Sequence, residues 1–248
     1  MLFITIDVEP DHNKSGYIFP LNFDNIDSDI PKILELLKDY DSKATFFISL
    51  PAVEKRMKTV ENILKQKHEI GNHTHPIFSK YFGSTDLLNH YSYITQKKMI
   101  TEIHGELKKF HPKSFRAGKM RANGNTIKIL EELNYKIDSS SRVIGIHSRL
   151  ARIVRGNKLY HPSKFSIQFP GKFSILELPV SRLHKPFDLN LPIDEMKKFL
   201  KLPFSVMLAH SYDMNDTNLK KIEYLLKNST SHALQEILTK KDYISFGK

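Results

Sequence analysis

The sequence has no cysteine among its 248 residues, and this absence limits both its covalent and its metal chemistry. Disulfide bonds and thiolate metal ligands are excluded. A bound metal would have to be held by histidine, aspartate and glutamate, and the chain offers 12 histidines for that purpose.

Long apolar runs are also absent. No stretch approaches the roughly 20 apolar residues that a helix needs to cross a bilayer. The first residues, MLFITIDVEPD, lack the basic segment of a signal peptide and are interrupted by Asp7. We therefore expect a cytoplasmic protein, unless a partner carries it elsewhere, and we interpret the apolar start as a first strand.

Repeats and linkers rich in glycine or serine are missing as well. The hydrophobic fraction of 40% and the charged fraction of 26% are those of an ordinary globular protein. The formal net charge is +11, but the lysines are spread in pairs along helical segments and are not interleaved with aromatic residues. We therefore expect solvated helix faces and no nucleic-acid partner.

Strand-like runs alternate with helix-like runs, which predicts βα units and a mostly parallel sheet. So many units in one domain spanning 1–248 favour an α/β barrel over an open sheet, with an irregular insertion at 140–171. The predicted strands are 2–8, 43–50, 69–73, 114–117, 135–137, 175–180, 204–209 and 243–246. The predicted helices are 30–40, 53–67, 93–110, 125–133, 218–226 and 231–238.

Residues 68–76 read HEIGNHTHP and contain two histidines spaced two apart. Side chains two apart in an extended strand point to the same face, so His73 and His75 can reach one cation. Pro76 lacks a backbone donor and ends the strand. Taken alone, the pattern also fits two polar residues in a solvated loop.

Other reactive residue types also fall at predicted strand ends, where parallel α/β folds gather their catalytic groups. One such residue is commonly a cap, whereas a series along one rim predicts an active site. Asp138 can either orient His210 or cap a turn with Ser139. The residues in this series are Asp7, Glu9, His73, His75, Arg116, Asp138 and His210.

The charges of these side chains predict their roles. One carboxylate together with two imidazoles is the donor set of a catalytic zinc site, and the other carboxylate of Asp7 and Glu9 can then accept a proton from water. His210 can protonate a leaving amine, and Arg116 can keep a carboxylate ionised. The set predicts metal-assisted hydrolysis of an amide.

In their order along the chain, these motifs resemble those of the polysaccharide deacetylase family (carbohydrate esterase family 4, the NodB-homology domain). The resemblance implies a distorted (β/α)7-type barrel that removes an N- or O-acyl group from a sugar. The segments that carry it are TIDVE at 5–9, HEIGNHTHP at 68–76, FRAG at 115–118, YKIDSS at 135–140 and LAH at 208–210.

The same resemblance implies individual roles. Asp7 falls on the catalytic base, His73 and His75 on the metal-binding histidines, His210 on the catalytic acid, and Arg116 on the residue that tethers the base. It also implies a divalent cation, with Zn²⁺ expected ahead of Co²⁺ or Ni²⁺.

The chain departs from the family pattern at two places. Val8 stands where the family has a metal-binding aspartate, and we expect Glu9 to replace it, as in a DVE-type variant, with Asp7 as the other candidate for third ligand. The histidine pair is also closer than the family's four-residue spacing, so it requires an extended backbone.

The expected reaction is removal of an N-acyl group, with N-acetyl foremost, from a sugar, a glycan or a lipid-linked sugar precursor. Two other functions stay open. One is a metal-free barrel that only holds carbohydrate, which Val8 favours; the other is a C–N hydrolase acting on cyclic imides or ureides. The sequence leaves the sugar, the acyl group and the oligomeric state open.

Overall fold

The computed structural model describes residues 1–13, 16–141, 159–164 and 166–240, and for 12, 13 and 16–19 it describes the backbone alone. Strands and helices alternate along these residues. The strands are β1 (Leu2–Val8), β2 (Asp11–Asn13), β3 (Gly16–Asn22), β4 (Ala44–Ile48), β5 (Glu69–Thr74), β6 (Ser114–Ala117), β7 (Ile137–Asp138), β8 (Leu176–Glu177), β9 (Ser205–His210) and β10 (Ser231–His232). The helices are α1 (Asp24–Asp39), α2 (Leu50–Lys55), α3 (Met57–Lys65), α4 (Tyr93–Leu107), α5 (Gly124–Glu132), α6 (Ile193–Leu200) and α7 (Asp216–Asn228).

One parallel sheet forms the centre of the fold. Its order is β9–β1–β4–β5–β6–β7–β8, and β10 pairs with the first residues of β1. β2 and β3 form a separate antiparallel pair. Because β1 lies between β4 and β9, both of its edges are hydrogen-bonded within the sheet.

The sheet is curled into a distorted barrel. Arg116 on β6 and Asp7 on β1 are three strands apart, a separation of about 14 Å in a flat sheet. Their side chains nevertheless meet, with Arg116 Nη1 2.7 Å from Asp7 Oδ1. The chain after β8 reaches the other edge, where the Ser181 N–H donates to the Val206 carbonyl at 2.9 Å. The structure confirms the predicted α/β barrel with mostly parallel strands.

The helices pack on the outside of this sheet through apolar stripes. In α1, Ile26, Ile30, Ile33 and Leu37 recur every three or four residues and are fully buried. The helix begins at Asp24, before the predicted start at residue 30, and it contains Pro31. No helix among the described residues is both long enough and apolar enough to cross a membrane.

The single helix predicted for 53–67 is wrong. The chain forms α2 and α3, which are separated at Arg56, where φ is −131° and ψ is 39°. The Arg56 guanidinium lies over the ring of Phe23, and its Nε donates to Asp27 of α1 at 2.6 Å. Contacts with α1 therefore accompany a break that the apolar periodicity did not reveal.

The helix predicted for 231–238 is also wrong. This segment forms β10 and then a 3-10 turn over Leu234–Thr239. Backbone N–H groups of this segment donate to side chains of β4 and β5. The Leu234 N–H donates to Thr45 Oγ1 at 2.8 Å, and the Gln235 N–H donates to Glu69 Oε2 at 2.9 Å. The predicted strand 243–246 and most of the predicted insertion at 140–171 lie outside the described residues.

Candidate active site

The C-terminal ends of β1, β5, β6 and β9 bring most of the predicted site residues together. Asp7 and His210 are register partners on the paired strands β1 and β9. His73 and Arg116 are register partners on β5 and β6. Since the strands are parallel, all these residues lie at one rim, as predicted.

Glu9, His73 and His75 form a buried cluster at this rim. One potential ligand atom from each lies within 4.8 Å of the others. Glu9 Oε2 is 3.2 Å from His75 Nε2 and 3.7 Å from His73 Nε2. β5 ends at Thr74 and a 3-10 turn starts at Pro76, so the extended spacing of the histidines and the stop at Pro76 are both present.

The hydrogen bonds of His73 show that the cluster fits a cation. Its Nδ1 lies 3.0 Å from the Arg116 carbonyl, which can only accept, so Nδ1 carries the proton and Nε2 a lone pair. Burial outweighs the nearby carboxylates and lowers the pKa of His73, which favours the neutral ring. The buried Nε2 has no hydrogen-bond partner and lies 3.7 Å from an oxygen of both Asp7 and Glu9. A cation at this position would accept the lone pair of His73 Nε2 and would balance the negative charge of the nearby carboxylates.

His75 is oriented by Asp86, a residue that the sequence did not predict. Asp86 Oδ2 lies 2.9 Å from His75 Nδ1, and Asp86 Oδ1 accepts the Ile77 N–H at 3.0 Å. Burial opposes the charged ring, but Glu9 and Asp86 together raise the pKa of His75. A carboxylate behind a histidine is the usual support for a metal ligand. Asp86 lies in an irregular loop, where no periodicity marks it.

Asp7 is paired with Arg116 inside the barrel. Besides its 2.7 Å contact with Asp7, the fully buried guanidinium donates from Nη2 to Thr5 Oγ1 at 2.8 Å and to Ser139 Oγ at 2.9 Å. Burial alone would raise the pKa of Asp7, but the charge of Arg116 leads a set of effects that lower it. Asp7 is therefore ionised at neutral pH.

His210 is held by Asp213, three residues further along the chain. Asp213 Oδ2 lies 2.9 Å from His210 Nδ1 and accepts the His210 backbone N–H at 3.0 Å. Burial favours the neutral ring, but the Asp213 hydrogen bond and the charges of Asp7 and Glu9 raise the pKa of His210 to about 9. The ring is therefore protonated at neutral pH. The acid at i+3 in HSYD was a local signal that could have identified Asp213.

Asp138 does not make the contact with His210 that the sequence suggested, because Asp213 occupies that role. Asp138 Oδ1 instead accepts from Ser140 Oγ at 2.5 Å, and Asp138 is the register partner of Glu177 on β8. Both carboxyl groups are fully buried. Burial raises the pKa of Asp138 to about 6 and that of Glu177 well above its ordinary value.

A cavity of about 370 Å³ opens at the rim that carries Asp7 and His210. Asp7 and His210 line it, together with Lys119 after β6 and Arg182 after β8. Its volume is at the lower end of the range of about 300–1,000 Å³ that is typical of small-molecule sites. An acceptor and a donor of protons thus face a space of the size of a small ligand.

A family model described as polysaccharide deacetylase matches residues 12–137, just over half of the 248-residue chain. The chain belongs to the polysaccharide deacetylase family. The matched part contains His73, His75 and Arg116, whereas Asp7, Glu9 and His210 lie outside it.

Among its relatives, this chain is 35% identical over 109 residues to a peptidoglycan-N-acetylglucosamine deacetylase of Bacillus cereus. That match covers 43% of this chain and 37% of the relative, so it spans well under half of the relative's length.

Two solved structures share the fold. A family 4 carbohydrate esterase from Streptomyces lividans has a TM-score of 0.55 at 11% identity, covering 92% of this chain and 86% of the other. A CE4 family pseudoenzyme from Bacillus anthracis has a TM-score of 0.58 at 14% identity, covering 96% and 65%. At these identities the likeness establishes the fold alone.

Proposed function

We propose that this chain is a metal-dependent hydrolase that removes an N-acetyl group from an amino sugar, either free or within a glycan or glycan precursor. The observation that carries the proposal is the buried cluster of Glu9, His73 and His75, with an unpartnered imidazole lone pair at His73 Nε2. The proposal is also supported by membership of the polysaccharide deacetylase family and by the peptidoglycan-N-acetylglucosamine deacetylase relative.

Glu9, His73 and His75 would hold the metal ion. Two nitrogens and one carboxylate oxygen suit Zn²⁺ first, and Co²⁺ or Ni²⁺ also accept such donors. When bound, the ion would lower the pKa of water and polarise the acyl carbonyl. Glu9 is a better third ligand than Asp7 because Glu9 approaches both histidines, whereas Asp7 Oδ1 is engaged by Arg116.

Asp7 and His210 would carry out the proton transfers of the reaction. Asp7, kept ionised by Arg116, accepts the proton of the water that attacks the acyl carbon. His210, protonated at neutral pH and held by Asp213, donates a proton to the amide nitrogen as the C–N bond breaks. The products are acetate and a free amine. The register pairing of Asp7 with His210 places the acceptor and the donor on adjacent strands.

The test combines metal binding with turnover. We expect the purified protein to bind Zn²⁺ in calorimetry and to release acetate from N-acetylglucosamine oligomers. Glu9→Gln and His73→Gln should weaken Zn²⁺ binding by more than roughly 100-fold, since each removes a ligand. Asp7→Asn and His210→Gln should abolish acetate release while Zn²⁺ stays bound. His90→Gln, which changes an exposed histidine outside the cluster, serves as the control.

Other outcomes would reject this function. Unchanged Zn²⁺ affinity in the ligand variants would exclude the cluster as the metal site. Oligosaccharide binding without acetate release in the loaded protein would favour a barrel that only holds carbohydrate. Hydrolysis of cyclic imides in place of N-acetyl sugars would indicate the third candidate function.

A further inference from the structure

Two turns each form a wall of the cavity that Asp7 and His210 also line. The first turn, residues 118–123, follows β6 and contributes Lys119. The second turn, residues 181–187, follows β8 and contributes Arg182. The proposed reaction uses neither of these cationic side chains, so their presence at the cavity requires a separate explanation.

Both turns contain basic side chains and no acidic ones. The first reads GKMRAN and the second reads SRLHKPF, and neither contains an aspartate or a glutamate. Two carboxylates do line the cavity. Asp7 is neutralised by Arg116 at 2.7 Å, and Asp188 accepts the Asn190 N–H at 2.9 Å. The two walls therefore favour a negatively charged ligand.

The backbone fixes Lys119 at its position. Lys119 and Met120 both have φ of 53°, a left-handed conformation that residues other than glycine seldom adopt. Lys119 Nζ lies 3.2 Å from Asp86 Oδ2, while its side chain is 51% exposed. Because an ammonium has three N–H donors, the contact with Asp86 orients Lys119 without exhausting its capacity to bind.

Arg182 is held in a comparable way. Its backbone forms an antiparallel bridge with Pro186, and the Phe187 N–H donates to the Ser181 carbonyl at 2.8 Å. The Ser181 N–H is in turn bonded to Val206 of β9 at 2.9 Å. The second wall is therefore anchored to the barrel, and Arg182 extends from a fixed base.

From this geometry we propose that the cavity selects amino sugars that carry an anionic substituent, a phosphate or a carboxylate, bound between Lys119 and Arg182. The inference rests on the proposed function in that it places the sugar above Asp7 and His210. An ammonium and a guanidinium are the donors that proteins use for such anions. The net charge of +11 would also speed the approach of an anionic substrate.

The test measures binding of deacetylated sugars, so it does not depend on turnover. Calorimetry would compare glucosamine with glucosamine 1-phosphate, glucosamine 6-phosphate and muramic acid, which carries a carboxylate. A charge-assisted hydrogen bond contributes about 1.5–3 kcal/mol, so we expect at least one anionic sugar to bind roughly 10–100-fold tighter than glucosamine. Tighter binding of a phosphate sugar or of muramic acid identifies which anion the walls recognise.

Variants locate the effect. Lys119→Gln and Arg182→Gln should each remove most of the preference for the anionic sugar and leave glucosamine binding unchanged. Lys80→Gln, which changes an exposed lysine that does not line this cavity, should preserve the preference. In the loaded enzyme, Arg182→Gln should raise KM for the N-acetylated anionic sugar and change kcat little.

The proposal is overturned if glucosamine and the anionic sugars bind equally, or if both wall variants keep the preference. It is also overturned if inorganic phosphate alone binds as tightly as the sugar phosphates, because the site would then not recognise a sugar. A clear preference without any acetate release would reject the proposed hydrolase function and leave the anion specificity intact. The two proposals can therefore fail separately.

Discussion

The Asp213 hydrogen bond is the largest of the contributions that raise the pKa of His210, followed by the charges of Asp7 and Glu9. Asp213 Oδ2 contacts both Nδ1 and the backbone N–H of His210, which fixes the ring and stabilises its charge. We predict that Asp213→Asn lowers the pKa of His210 from about 9 toward or below its ordinary value of 6.5. Because the charged ring is the proposed proton donor, acetate release should decline at a lower pH in the variant than in the native protein.

An NMR titration of the imidazole measures this shift directly, and a pH–rate profile measures its consequence. The folded pKa is raised, so the Asp213 contact stabilises the fold fully below pH 6.5, and this stabilisation is lost as the pH rises through about 9. Asp216→Asn, an exposed acid in the first turn of α7, is the control. An unchanged His210 pKa in Asp213→Asn would contradict the assignment.

Single residues also show what the sequence can and cannot reveal about the site. Asp7, His73, Arg116 and His210 are identified because strand periodicity and the order of family motifs place them at one rim. Asp86 has no such marker, because its contact with His75 depends on where an irregular loop returns in space. Lys119 and Arg182 likewise line a single cavity that no local pattern describes.

The position of the His75 ring depends on Gly118. A Cβ atom at this position would overlap the ring of His75, so only glycine leaves room for that ligand. We predict that Gly118→Ala displaces the ring, weakens its contact with Asp86 and reduces Zn²⁺ affinity by about 10–100-fold. Calorimetric Zn²⁺ titration measures the loss.

Gly105 offers a matched control for that substitution. It lies in helix α4, and a Cβ there meets nothing within 4 Å. Gly105→Ala should leave Zn²⁺ affinity unchanged and stabilise the fold by about 0.5–1 kcal/mol, because alanine favours a helix. Equal Zn²⁺ affinities in the two variants would show that Gly118 is not required for the position of His75.

The short strands β7 and β8 place Asp138 beside Glu177 in the core. Burial raises both pKa values, so the protonated forms belong to the folded state. The two protonated carboxyl groups contribute fully to the free energy of unfolding below their ordinary pKa of about 4. This contribution is lost as the pH rises through about 6 and above. We predict that urea unfolding of the native protein shows a falling free energy of unfolding from pH 5 to pH 9, and that Glu177→Gln flattens this dependence. Identical slopes would show that the pair does not titrate with folding.

Elements with strong local periodicity were predictable, as the apolar stripe of α1 illustrates. The segment 231–238 has a helical pattern, but its backbone donors bind Thr45 and Glu69, so tertiary hydrogen bonds decide its structure. The break at Arg56 has the same character, because it coincides with a contact to another helix. Sequence periodicity reports which residues are buried and does not report which distant group accepts a hydrogen bond.

The Arg116 side chain joins distant parts of the barrel by hydrogen bonds. Its fully buried guanidinium spans from β6 to Thr5 and Asp7 on β1 and to Ser139 after β7. We predict that Arg116→Met costs about 3–5 kcal/mol, because Asp7 remains buried without its cation. Adding Asp7→Asn should restore part of that loss. Urea unfolding of the metal-free variants measures the coupling, and strictly additive costs would contradict it.

The position of β1 also bears on how the molecule is made. Residues 2–8 lie between β4 and β9, and β9 is about 200 residues further along the chain. During synthesis, one edge of β1 therefore stays unpaired until almost all of the described chain has emerged, which favours slow folding and exposes a strand edge to aggregation. The same late pairing brings His210 to Asp7. An incomplete chain would therefore carry Asp7, the proposed proton acceptor, without His210, the proposed donor, and the proposed activity would arise only after the final closure of the sheet.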